Sequence, residues 1–524
     1  MKRINLFALV ILFGTVVMSF SQQRTELKDK RTFNSKTFVN SDNSYTTVIT
    51  GGLVHYLDSK GEFLEIDRNI VLSPTEYDYE VTQGFYHAYF KSDLSEPGAI
   101  AFETTGGGGF TAQLSGLGYM DQAGKKYEII YQPRLVQPVV NQNTIIYPNI
   151  FPGIDVKFAY CDTKLKEELF IHPTARKSLQ APKSFKKPYL VAIYQLEMNM
   201  PTTKPFAKAK KIDKDNYEGE ERITFRDIKG STSFYFPVDF AYLVSGGDSL
   251  TVDYNRTMRK WFLKKNDKQL LLTGVPDDWF QTLPAGTVVL DPQVSVDAQL
   301  NLSKDTNICG YTGSTYQYRS YGVSSRILME SANKWRGLVY FDLSWLPLDV
   351  TVQAADLYFY VYDSAHDGPG SIYAYKADRY WKEGTGSGAT NSETYSGASW
   401  RERFYGDNLN DGNNPWNEAD ADWATVGGDY SGLMAQANVT GTGAFSLDIL
   451  QTVQDWVTDA NSNYGVLLKT DESASPSYNV WVRSSNYSTT PSQRPRLELT
   501  YTFETTSIYY VRDAAGQVIA TYRR

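Results

Sequence analysis

Four tryptophans stand in or beside loop-like segments of the chain: Trp381, Trp400, Trp416 and Trp423. The flat apolar face of an indole packs against the C–H face of a pyranose, and nearby Asp, Asn or Arg side chains bond the sugar hydroxyls. These four are the carbohydrate-binding candidates, and burial as framework is the competing role for each. Trp335 and Trp456 are weaker candidates, because one precedes an apolar strand and the other falls on an apolar helix face. Around Trp416 the stretch from Asp407 to Asp422 carries Asp407, Asp411, Glu418, Asp420 and Asp422 among asparagines and glycines. Hard oxygen donors at that density suit a structural calcium, with Asp407, Asp411, Asp420 and Asp422 as ligands. Leu409 sits where an EF-hand needs a ligand, and the plain alternative is an Asx-rich surface loop.

Catalytic chemistry finds little support. There is no Gly-x-Ser-x-Gly elbow, no His-Glu-x-x-His, no phosphate-binding loop and no Cys-x-x-Cys. The histidines, His55, His87, His172 and His366, show no metal-ligand spacing. Gly106 to Gly109 is a glycine run without the lysine or the strand-turn-helix setting of a nucleotide site, and suits a flexible turn. A glycosidase needs only two well-spaced acids, but among 59 acidic residues no pair can be singled out. The expectation is a protein that binds and breaks no bond, with no cofactor beyond the calcium.

The elements that would carry these residues are mostly strands. Tyr 38, Phe 26 and Trp 10 are high counts for 524 residues, and aromatic side chains suit pleated surfaces. Arg496 to Phe503 alternates, with Leu497, Leu499, Tyr501 and Phe503 on one face. Leu357 to Tyr362 is apolar throughout, as a strand inside a sandwich would be. Leu53-Val54-His55-Tyr56, the turn Asp58-Ser59-Lys60-Gly61 and Glu62 to Asp67 form a hairpin pattern. One helix stands out: Asp448 caps it, Gln451 completes a capping box, and Ile449, Val453, Trp456 and Val457 share a face. This length predicts two large β domains.

Lys2 and Arg3, the apolar run Ile4 to Phe20 and the small residues Ser19-Phe20-Ser21 predict an export signal over 1–21, cleaved after Ser21. The run is shorter than the ~20 apolar residues of a spanning helix, so no membrane insertion is expected after cleavage. A secreted or cell-surface protein follows. Cys161 and Cys309 fall in different proposed domains and are expected as buried free thiols rather than as an interdomain disulfide. A net charge of -7 gives no reason to expect nucleic acid as partner. The lysine-rich Lys204 to Lys214 lies beside acidic Glu218 to Glu221 and suits a solvated loop.

Ordered segments carry a family resemblance. They are Trp335 to Leu343, Trp345-Leu346-Pro347, Ala354 to Tyr360, Tyr380 to Gly386, Gly397 to Trp400, Gly427 to Tyr430, Val453 to Val457, Asn463 to Leu468 and Arg494 to Tyr501. This pattern resembles the DNRLRE, or disaggregatase-related, domain of microbial surface proteins, although the signature hexapeptide is absent. The resemblance implies a jelly-roll-like carbohydrate-binding β-sandwich over 294–503, and places Trp381 and Trp400 at family positions. His55-Tyr56, Gly61 and Glu65-Ile66-Asp67, then Tyr147 to Val156 with Lys166-Glu167-Glu168, and finally Trp279 with Val288 to Pro292, resemble the leader of Rhs-type and wall-associated bacterial surface proteins. That marks 32–293 as a β-rich leader-like module. Tyr510 to Gly516 with Tyr522 is similar to one YD repeat, giving a tail over 508–524 that should be poorly ordered alone.

The fold expected is therefore mostly β, with two antiparallel sandwich-type modules and one short helix in the second. The function expected is binding of a cell-envelope or matrix polysaccharide. Two alternatives stand beside it: a structural leader or spacer of an Rhs-type surface or toxin-delivery protein, and a polysaccharide lyase or hydrolase with its catalytic module at 32–293.

Overall fold

The computed structural model describes residues 24–199, 206–207, 210–211, 216–226, 231–244, 256–265, 268–296, 303–312, 316–347, 350–365, 370–386, 388–390, 397–404, 422–474, 477–503, 508–512 and 518–523. The chain is mostly antiparallel β, organised as two sandwiches. In the first, a 10-stranded sheet and a 12-stranded sheet close on one core. Phe102, Leu114, Tyr119 and Leu190 come from the first layer, and Ile145, Val156, Leu169 and Leu290 from the second. The long strand Gly109–Asp121 is the spine of its layer, paired along its length with Pro188–Asn199. A Cβ at Gly118 would overlap the carbonyl of Glu128 on the next strand, so only glycine permits that pairing.

The second sandwich forms from one 13-stranded sheet that folds back at a single bridge, Glu330↔Trp335. Leu357 and Leu497 on one side of the bend share a core with Val339, Ala374 and Leu468 on the other. The helix Leu450–Thr458 covers this core with Val453 and Trp456. Asp448 Oδ1 accepts from the Leu450 amide at 3.0 Å, whereas Gln451 reaches forward to Asp455 and closes no capping box. Two further short helices, Pro173–Arg176 and Asp277–Thr282, belong to the first sandwich. Among the described residues no helix is long and apolar enough to cross a membrane.

The module borders differ from those expected. Thr25–Glu26, Ser35–Val39 and Tyr45–Thr50 join the second sandwich, where Tyr45–Thr50 pairs with Arg496–Phe503 from Tyr45↔Tyr501 to Thr50↔Arg496. Ile49 lies in that core. Gln293–Val296 belongs instead to the first sandwich, paired with Lys164–Ile171, and buries Val294 and Val296 there. The tail strands Ile508–Arg512 and Val518–Arg523 pair with each other.

The two sandwiches meet at a buried ion triad. Asp162 accepts from Arg68 Nε at 2.6 Å and from Arg494 Nη1 at 2.6 Å. Burial opposes its charge, but the two guanidiniums outweigh that and hold the carboxyl below its usual range. A Cβ at Gly52 would overlap the Arg494 guanidinium, so the chain crosses between modules where glycine leaves room. Both cysteines are free and buried.

Candidate functional site

Three of the four candidate tryptophans, Trp381, Trp400 and Trp423, are core. Trp381 is fully buried, its Nε1 donates to Tyr464 O at 2.8 Å, and the Lys304 ammonium sits 4.4 Å from its ring. Trp400 is buried with the Arg336 guanidinium 4.5 Å from its ring. Trp423 is buried beside them and donates to Ser399 O at 2.9 Å. Glycines and polar neighbours make these segments loop-like, yet the large apolar surface of each indole turns inward to a small core with Ile308, Leu338 and Leu467. No pyranose can stack on rings so covered. Trp416 lies outside the described residues, as do Asp407, Asp411 and Asp420 of the calcium loop. Asp422 is exposed, and its carbonyl accepts from Arg403 Nε at 3.2 Å.

A different site comes from the period-two alternation of Lys164–Ile171. Leu165, Glu167 and Leu169 point to the first core, while Lys164, Lys166 and Glu168 project from the other face. Across from them Ile154–Tyr160 places Lys157 opposite Glu168, and Gln293–Val296 places Ser295 opposite Lys164. Tyr235 stands opposite Ser295 in turn. This sheet face forms one wall of a cleft of about 650 Å³ between the two sandwiches. The other wall is the second module's Tyr321, Val323 to Arg326 and Asn486 to Thr489.

Hydrogen bonds fix that second wall. Ser484 Oγ donates to Ser324 O at 2.6 Å, Asn486 Nδ2 to Gly322 O at 2.9 Å, and Arg494 Nε to Tyr487 O at 2.7 Å. Asn143 Nδ2, from the first module, donates to Ser488 O at 3.3 Å. Both walls are therefore positioned before any ligand arrives.

The cleft is polar and cationic. Its lining includes Lys157, Lys164, Lys166, Arg222 and Arg326 against two carboxylates, Glu168 and Asp291. Lys157 Nζ and Lys166 Nζ hold Glu168 at 2.7 and 2.8 Å, and Tyr242 donates to it at 3.1 Å. Burial works against Glu168 ionising, but both ammoniums outweigh it and keep the carboxyl well below its usual range. The same carboxylate and Asp291, 3.1 Å from Lys166, overcome burial to hold the Lys166 ammonium well above its usual range. Aromatic rings stand beside these charges: the Arg222 guanidinium lies 3.4 Å from the Tyr235 ring, and that of Arg483 lies 3.9 Å from Tyr487. Such a wall offers amphipathic rings and fixed donors to a hydroxyl-rich, negatively charged chain.

Behind the same strand Glu167 accepts from the Tyr194 hydroxyl, and burial pushes the Glu167 carboxyl up to about 8. Asp239 is raised by burial to about 6 and pairs with Lys260 at 3.2 Å. These groups resemble an acid pair in chemistry, but the cavity they share is about 60 Å³ and, apart from them, Tyr194 and Gln293, apolar. It holds at most a few waters and admits no sugar ring.

The run Lys166-Glu167-Glu168 is visible in the sequence but the cleft is not, because the opposing wall comes from two segments, at 321–326 and 486–489, far along the chain. The signal within reach was the alternation itself, charged at 164, 166 and 168 and apolar at 165 and 169.

No family model matches this chain. It is similar to the tRNA nuclease WapA of Bacillus subtilis strain 168 and to the tRNA(Glu)-specific nuclease WapA of Bacillus subtilis subsp. natto strain BEST195. Each is 23% identical over 406 residues, covering 73% of this chain and 14% of the relative. The chain thus matches about one-seventh of the length of these proteins.

Proposed function

We propose that this chain is a non-catalytic extracellular binding unit that holds an acidic polysaccharide of a cell envelope or matrix in the cleft between its sandwiches. One observation carries the proposal: the 650 Å³ cleft joins tyrosines, hydroxyls and an excess of lysine and arginine on two prepositioned walls. An acidic glycan supplies the complementary charge and the C–H faces that tyrosine rings cover. The site replaces a platform built on Trp381, Trp400 and Trp423, whose rings are spent on packing.

The test is retention of the full chain on acidic and neutral glycans, alginate and pectin against cellulose, at low and high salt. Retention on an acidic glycan should weaken with salt, since exposed charge pairs are screened over about 8–10 Å at such concentrations. Lys164→Glu or Tyr235→Ala should lower affinity by about tenfold, near 1.4 kcal/mol, with thermal midpoint kept. Binding unchanged in both variants would remove the cleft from consideration.

A second reading is favoured by the comparison itself. A match to one-seventh of a large protein suits a supporting or leader segment of a longer surface or toxin-delivery polypeptide. The nuclease activity named for those relatives is not carried over on so small a share of their length. An immunoblot of the source cells against this sequence separates the two cases. A band well above 59.2 kDa favours the leader reading, and a band at that mass counts against it.

A further inference from the structure

The hairpin His55–Leu57 with Phe63–Glu65 sets His55 directly opposite Glu65. The first strand, Thr25–Glu26, brings Glu26 to the same place. One ligand atom from each of Glu26, His55 and Glu65 lies within 4.8 Å of the others. His55 is fully buried, and its Nδ1 bonds Thr32 O at 2.6 Å. That backbone carbonyl fixes the ring as the Nδ1–H tautomer and leaves Nε2 with a lone pair. Nε2 is buried and has no hydrogen-bond partner, an unfavourable arrangement unless something satisfies it. The basic partners of both carboxylates sit on Oε1: Arg31 reaches Glu26 Oε1 at 2.7 Å and Glu65 Oε1 at 3.1 Å, and Lys36 reaches Glu65 Oε1 at 2.8 Å. Each Oε2 remains for another partner.

We propose that Glu26, His55 and Glu65 form a zinc-type divalent-metal site, with His55 Nε2 and one carboxylate oxygen each from Glu26 and Glu65 as ligands. One imidazole nitrogen and two carboxylate oxygens form a donor set for zinc or a neighbouring first-row ion, whereas calcium selects all-oxygen sites. Tetrahedral zinc needs ligand atoms about 3.4 Å apart, a small closure from the spacing present. Glu65 is more than half exposed, so an ion can enter from solvent and keep water as its fourth ligand. The Nδ1–H···O=C contact is the outer-sphere bond that metal-binding histidines use. Arg31 and Lys36 lower the net attraction for a dication, so the site is of moderate affinity.

The consequence is mechanical. Thr25–Glu26 is a short edge strand that pairs with the sheet at two positions, Thr25↔Val39 and Glu26↔Phe38. A bound ion ties this edge strand to the hairpin and so ties the N-terminal strand of one sandwich to the start of the other.

Calorimetric titration of the full chain with zinc chloride tests this, together with the thermal midpoint and zinc-edge absorption spectroscopy. One ion should bind, raise the midpoint by linkage, and show only nitrogen and oxygen neighbours at about 2.0–2.2 Å. Glu65→Gln, exposed and tolerant, and Glu26→Gln should each cost at least the roughly 10- to 100-fold that outer-sphere partners already contribute. Lys36→Gln should tighten binding several-fold. Absence of saturable uptake, a sulfur neighbour near 2.3 Å from the buried thiols, or unchanged affinity in both glutamate variants would each overturn the site.

Discussion

At the scale of single residues, burial decides the chemistry more than residue type does. Glu167 and Glu168 are adjacent and identical in sequence, yet the strand sends one to the core and the other to a pair of lysines, and their carboxyls move in opposite directions. Glu167 has a folded-state value of about 8 against an ordinary 4.5. Its proton is therefore bound more tightly in the folded chain. The stability it contributes is complete below pH ~4.5, declines as pH rises through the interval, and is gone above about 8. Glu167→Gln keeps an acceptor for Tyr194 without a charge to lose. We expect chemical denaturation at pH 5, 7 and 9 to show wild-type stability falling with pH by more than that of the variant. Parallel profiles would mean that Glu167 is as solvated when folded as when unfolded. Asp162 runs the other way: its carboxyl is lowered, so its contribution persists above pH ~4 and fades only in acid.

The tryptophans make the same point. Trp381 and Trp400 sit in segments rich in glycine, serine and charge, which suggested exposure, but their indoles are buried and carry cations on their faces. Trp400→Ala should cost about 3–5 kcal/mol, the usual range for emptying so large a buried volume, read as a lower urea midpoint. Glycan retention by the fraction that remains folded should be unchanged. A loss of retention with stability intact would return Trp400 to the binding site.

At the scale of elements, what local chemistry dictates was legible and what long-range pairing dictates was not. The hairpin at His55–Leu57 and Phe63–Glu65 follows from its turn: Asp58 Oδ1 accepts from the Lys60 and Glu62 amides at 2.8 and 2.9 Å, and Gly61 takes φ 81°. The glycine run at 106–109 likewise turns the chain, with the Gly107 amide donating to Thr104 O at 2.9 Å. Arg496–Phe503 buries Leu497, Leu499 and Tyr501 as its alternation requires, although Phe503 ends exposed. Nothing local to Tyr45–Thr50 says that its partner lies some 450 residues away, so position in the chain places it in the first sandwich while pairing places it in the second. The pairing has a consequence for dissection. A chain starting at residue 294 leaves Arg496–Phe503 paired on one side only and uncovers the place that Ile49 fills in the core. Unpaired edges of apolar strands template aggregation. The 294–503 piece should therefore elute as multimers in size-exclusion chromatography, and co-expression with residues 24–52 should restore a monomeric peak. A monodisperse, cooperative 294–503 piece would show that the Tyr45–Thr50 strand is dispensable.

At the scale of the molecule, the cleft exists only while the sandwiches hold their relation, and the Asp162 triad is the fixed point of that relation. Arg68 and Asp162 come from the first module and Arg494 from the second, where its Nε also anchors Tyr487 on the cleft wall. Removing one partner of a fully buried ion pair costs about 3–5 kcal/mol, because the other charge is stranded. In Arg494→Met the Asp162 carboxylate keeps Arg68, so the loss in stability should be smaller than that. The wall, however, loses the guanidinium that bonds Tyr487 and one of the contacts that join the modules. The expected outcome is two separate calorimetric transitions in place of a merged one, a larger radius of gyration by small-angle scattering, and weaker glycan retention than for Lys164→Glu. Each sandwich retains its own core, so far-ultraviolet circular dichroism should not change. If scattering and retention are both as in the wild type, the modules are held by the remaining contacts and the triad is a local feature of Asp162 alone. If scattering changes but retention does not, the ligand binds to one wall, and the site is the Lys164–Ile171 sheet face of the first module.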